Sequence, residues 1–118
     1  MIVRILQTAT CPPALSPECE YTVVGIEAGW YRLVNDDGEP CLYDPGLFSI
    51  RDPTEPAFWV TSYGDQNERY SYPAEWSAPG FFEDWHDRRT DARTIFDSVL
   101  MARFGITRPD QQPEEPNG

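Results

Sequence analysis

The sequence predicts a small α+β domain: an antiparallel sheet of five or six short strands, curled or closed into a barrel, with a C-terminal helical segment packed on it. Three observations predict this. Short runs rich in β-branched and aromatic residues recur through residues 2–72. Breaks built from Gly, Asp, Asn and Pro separate them. After Pro79-Gly80 the apolar period changes from two to about 3.6. The 118 residues suit one domain, expected over 1–105, β-rich over 1–78 and helical over 79–105. Residues 106–118, polar and proline-rich from Pro109, read as a disordered tail.

Each element follows from its residues. IVRILQ (2–7) is aliphatic and strand-forming, whereas CPPALSPE (11–18) holds three prolines that forbid regular ladder bonding. EYTVVGIE (20–27) alternates, which places Tyr21, Val23 and Gly25 on one face and Thr22, Val24 and Ile26 on the other. Ala28-Gly29 can turn the chain into WYRLVN (30–35), where Tyr31, Leu33 and Asn35 oppose Trp30, Arg32 and Val34. Asp36-Asp37-Gly38 tolerates positive φ, best at the glycine, and Pro40–Tyr43 returns. Asp44 caps a single helical turn that begins at Pro45, before a strand at 48–51. FWVTSY (58–63), a GDQN turn and ERYSY (68–72) form another hairpin, and Pro73–Trp76 repeats the turn device of Pro45–Phe48. Beyond Gly80, Ala92, Ile95, Phe96, Val99, Leu100 and Phe104 make one helical face. Thr90 with Asp91 can cap a second helix, and Gly105 stops it.

Charge restricts function. Nine basic residues face twenty acidic ones, a formal net charge of −11. Such a surface repels nucleic acid and anionic membranes and attracts basic partners. Every basic residue is Arg, so no lysine amine exists for a Schiff base. Cys11, Cys19 and Cys41 form no disulfide framework. With His86 as the single histidine they supply no zinc-ligand spacing, so neither metal nor cofactor is expected. A cysteine paired with His86 would make a nucleophile only if the thiolate were activated. The first residues, MIVRILQTATCPP, lack a secretory pattern, and no apolar run approaches the roughly 20 residues of a membrane span. A cytoplasmic protein without membrane association is expected.

The acidic stretch Asp36, Asp37, Glu39 and Asp44 lacks the alternation of a calcium loop and reads as a solvated turn. Residues 30–48 around it carry Tyr31, Arg32, Asp37, Gly38, Glu39, Leu42, Tyr43, Pro45 and Phe48. This pattern resembles short, largely uncharacterised bacterial proteins with small Src-homology-3-like barrels. The resemblance covers about a quarter of the chain, and Pro40 and Cys41 depart from it. It implies a fold and transfers no catalytic residue.

The functional expectation is a small acidic binding protein. The reading is an immunity or antitoxin-like inhibitor that occludes a partner protein such as a basic toxin, and is not an enzyme. The alternatives are an acidic nucleic-acid mimic that blocks a DNA-binding protein, and a small enzyme for which no motif appears. The expected partner-binding surface is an acidic rim of Asp36, Asp37, Glu39, Asp65, Glu68 and Glu75 around exposed Trp59, Tyr70 and Trp76.

Overall fold

The computed structural model describes residues 1–109. Seven antiparallel strands run in order: β1 (Ile2–Ile5), β2 (Glu20–Glu27), β3 (Trp30–Val34), β4 (Pro40–Tyr43), β5 (Phe48–Asp52), β6 (Trp59–Tyr63) and β7 (Arg69–Pro73). Single 3-10 turns at Pro45–Leu47 and Ala74–Trp76 follow β4 and β7. Two helices close the fold, α1 (Phe81–His86) and α2 (Thr90–Val99), and α2 continues into a π-helical turn, Leu100–Phe104. All seven strand-like segments pair, rather than five or six.

The sheet is open, and β2 organises it. One edge of β2 carries β3, which carries β4. The other edge is shared: Glu20–Thr22 pair with β1, and Ile26 and Glu27 pair with β7. β5 then extends β1, and β6 extends β7. The sheet therefore branches along a single strand. Val23 donates its amide to the Met1 carbonyl there, and the Val24 carbonyl accepts the Trp59 indole N–H at 3.2 Å. Trp59 thus satisfies a buried backbone acceptor at the branch point.

A β-bulge between Val23 and Gly25 corrects the expected faces of β2. Tyr21, Val23 and Ile26 pack with Val3, Ile5, Leu33, Phe48 and Trp59 on the sheet's inner face. Val24 packs with Trp76, Phe82, Trp85, Phe96 and Leu100 on the outer face, beneath the helices. Gly25 also turns outward. A Cβ there would lie 2.0 Å from the Tyr72 ring, so only glycine lets that ring lie on the strand.

Turn chemistry explains the connections. Ala28 (φ 51°) and Gly29 (φ 84°) both take positive φ in the two-residue β2–β3 hairpin, and Gly38 (φ 79°) does so in the next. Asn35 fastens that second turn: its Oδ1 accepts the amides of Asp37 and Glu39, each at 3.0 Å. Asp44 accepts the Gly46 amide at 2.8 Å and caps the 3-10 turn as expected. At α2 the cap position is Arg89, with no side-chain bond, and Asp91 instead accepts the Ala92 amide.

The packed chain also runs past Gly105, where the expected domain ended. Ile106 packs on the outer-face cluster. Arg108 is buried, with Nε and Nη2 on the two Asp97 carboxylate oxygens at 2.6 and 3.0 Å and Nη1 on the Gly38 carbonyl at 3.2 Å. The expected tail thus begins with packed residues; its remainder, 110–118, lies outside the described residues.

Candidate binding recess

The structure does not gather the expected acidic rim into one surface. Asp36, Asp37 and Glu39 are exposed at the β3–β4 turn. Asp65 and Glu68 sit in the β6–β7 turn, which the Gly29 amide joins through the Arg69 carbonyl at 3.1 Å. That turn therefore lies beside the β2–β3 hairpin, at the other end of the ladder from Asp36. Glu75 occupies a third place, after β7, in an ion pair with Arg103 at 2.7 Å. Several of these carboxylates are also occupied. Asp36 accepts the hydroxyls of Tyr21 and Ser16, each at 2.8 Å, and Glu68 accepts the Gln66 amide.

Two of the three expected rings are interior. Trp59 is buried at the branch of the sheet, and Trp76 is 2% exposed, stacked 4.5 Å from Phe96 and 5.8 Å from Phe104. A large ring beside a turn is as well suited to anchoring the turn in the core as to meeting a partner, and here it anchors. Tyr72 is buried as well, whereas Tyr70 is half-buried and Tyr63 is exposed.

Tyr70 lines a concavity on the sheet. A recess of about 630 Å³ lies on the outer face of the sheet. Its floor is a cross-strand mosaic fixed by register. Leu42 pairs with Arg32, Arg32 with Gly25, and Val60 with Tyr72. Beside them Glu27 pairs with Tyr70, and Tyr70 with Ser62. The segment from Trp76 to Phe82 walls one side, and Glu83 and His86 of α1 stand at the rim. Volume and mixed lining are those of a ligand pocket.

A buried polar network lies in the floor. Arg32 is 4% exposed, with its guanidinium 3.8 Å from the Phe82 ring centre. Its Nε donates to the Tyr72 hydroxyl at 2.7 Å, Nη1 to the Pro40 carbonyl at 2.5 Å and Nη2 to Glu27 Oε1 at 3.2 Å. The Tyr72 hydroxyl donates to the same Oε1 at 3.1 Å. The network holds Glu27 in one orientation, while Oε2 receives no donor among the described residues. Burial raises the pKa of the Tyr72 phenol, so it stays protonated and remains a donor.

Cys41 and His86 both line this recess. Burial, with Glu39 adding, raises the Cys41 thiol pKa, the reverse of what a nucleophilic cysteine needs. Its sulfur accepts from Asn35 Nδ2 at 3.6 Å. Among the described residues no group of three or more His, Cys, Asp or Glu is placed to hold a metal ion, and no helix is long and apolar enough to cross a membrane.

Sequence reasoning missed Arg32 as the centre of this site. Its signal was position: on β3 it shares a face with Val34, which packs on the helical cluster. Comparison of the chain with protein-family models, curated proteins and solved structures finds no match.

Proposed function

We propose that this is a small acidic binding protein that occludes a basic partner protein, in the manner of an immunity protein or antitoxin, and acts in the cytoplasm. One observation carries the reading: most of the arginines are paired with carboxylates of the same molecule, and the net charge of −11 is left on the remaining acidic side chains. Six of the nine arginines are ion-paired: Arg32, Arg51, Arg69, Arg89, Arg103 and Arg108. Two of those, Arg32 and Arg108, are buried. Arg93 lies over the Trp85 ring at 4.0 Å. Exposed carboxylates such as Asp37, Glu39, Asp65, Glu83, Asp84 and Asp87 thus dominate the field around the molecule. Such a field accelerates capture of a cationic protein. Because the acidic side chains stand at separate places rather than in a phosphate-like row, the reading favours a protein partner over nucleic-acid mimicry.

The test is to isolate a partner from the native host, purify the 1:1 complex and follow association by stopped flow. The association rate should fall about tenfold or more as ionic strength rises from roughly 0.01 to 1 M, because the Debye length shrinks from about 30 to 3 Å. The partner's own activity should be lost in the complex. A rate indifferent to salt, or a complex in which the partner stays fully active, would remove the reading.

A further inference from the structure

The recess has a chemistry of its own, and we propose that it receives a cationic side chain, an arginine or lysine, from an apolar-flanked loop of the partner protein. The proposal rests on the occlusion reading and assigns it a site. Three features select a cation. First, Arg32 is unavailable to an anion: it is buried under Phe82 and engaged by Tyr72, Glu27 and the Pro40 carbonyl. Second, the same network presents Glu27 with Oε1 doubly bonded and Oε2 open, a side chain 37% exposed at the edge of the recess. An acceptor held this way loses little freedom when a guanidinium or ammonium meets it. Third, Glu83 adds a second carboxylate at the rim, and Tyr70 offers a ring beside Glu27.

Size and lining say what accompanies the cation. The cavity of about 630 Å³ exceeds one side chain, and Leu42, Val60 and Phe81 line the remainder. Val60 is 56% exposed on edge strand β6, so an apolar neighbour of the cation would cover it. The Arg32–Glu27 pair carries no net charge. The attraction at distance therefore comes from Glu83 and the overall charge of −11, and Glu27 supplies the directional bond on arrival.

The test needs no partner. N-acetyl-arginine amide is titrated into the 15N-labelled protein, with N-acetyl-citrulline amide as the neutral isostere. The arginine compound should shift the backbone amides of Glu27, Leu42 and Tyr70 saturably. The citrulline compound should bind about tenfold more weakly or worse, since a charge-assisted bond is lost. Glu27→Gln should weaken the arginine compound by a similar factor, while Glu18→Gln, in the exposed loop before β2 and outside the recess lining, leaves it unchanged. Because Glu27→Gln removes the counter-charge of a buried arginine, a second variant guards against misfolding. Ser62→Arg plants a guanidinium across from Tyr70 on the exposed edge strand and should abolish probe binding by self-occupancy. Equal binding of both compounds, shifts confined to the β3–β4 turn, or undiminished binding to Ser62→Arg would each overturn the proposal. These arms decide the recess alone, whereas the salt series decides the occlusion reading.

Discussion

The two faces of the sheet solve the burial problem differently. The inner face is largely aliphatic: Val3, Ile5, Val23, Ile26 and Leu33 interlock, and its one indole donor, on Trp59, is satisfied by the Val24 carbonyl. The outer face is aromatic. Trp76, Phe81, Phe82, Trp85 and Phe96 interlock there, and the indole donors of Trp76 and Trp85 find no acceptor among the described residues. Guanidinium groups also enter that layer, with Arg32 over Phe82 and Arg93 over Trp85. The difference teaches that the inner face supplies the fold's uniform interior, whereas the outer face accepts polar cost in order to hold charged groups in place.

The strongest test of this contrast is to remove one residue from each layer. Phe96, fully buried and touching Trp76, Phe82 and Trp85, should cost about 4 kcal/mol as Phe96→Ala. Leu33→Ala on the inner face should cost about 3 kcal/mol. Urea unfolding checks both, and near-ultraviolet dichroism separates them: only the outer-face variant should disturb the stacked indole signal.

Charge held at the outer face gives the next effect. Arg108→Ala leaves the half-buried Asp97 carboxylate and the Gly38 carbonyl without their donors and should cost about 3 kcal/mol. Asp97→Asn in the same chain should recover part of that loss, and a double-mutant cycle by urea denaturation reads the coupling.

Alkaline titration compares the layers through their tyrosines. Burial pushes the Tyr21 phenol up to about 12, and burial also raises Tyr72. Unfolded phenols ionise near pH 10. Above that pH the unfolded chain gives up protons that the native state retains, so stability falls as pH rises. Urea midpoints should therefore drop above pH ~10, and the drop should be shallower in Tyr21→Phe and in Tyr72→Phe. A flat profile through this range would mean that both phenols ionise as freely in the native state as in the unfolded chain.

Trp59→Phe sharpens the contrast in indole donors. It keeps most of the ring but leaves the Val24 carbonyl unpaired, a cost of about 1–2 kcal/mol. In Trp76→Phe no such bond is lost, and only ring packing changes. Smallest of all are the turn positions. Ala28 (φ 51°) serves the β2–β3 hairpin and Arg88 (φ 63°) ends α1, both left-handed without being glycine. Ala28→Gly and Arg88→Gly should each stabilise by up to about 1 kcal/mol, visible as a rise in Tm.

The strands were legible because alternation and turn residues act locally. Residues 20–27 and 40–43 form strands at the expected bounds, and the helical region breaks between His86 and Thr90, around the expected split near Arg88-Arg89. The bulge was less legible. Gly25 inside a strand was its one signal, and a run of Tyr, Val, Val and Ile reads plausibly in either parity. The site was hardest to see. Arginine is usually a surface residue, so nothing local marked Arg32 and Arg108 for burial. Trp59 and Trp76 stood next to turn signals and suggested an exposed anchor. Their burial depends on contacts with Val24 and Phe96, residues twenty or more positions away.

Gly25 is buried, yet the side chain it lacks governs the floor above it. A methyl group at this position would strike the Tyr72 ring and displace the hydroxyl that joins Arg32 to Glu27. In a mutational scan of the proposed cation-binding recess, scored for probe binding, position 25 should therefore register as strongly as a residue in direct contact. A map of tolerated substitutions would then draw the proposed site one layer too deep, unless folded yield were scored alongside.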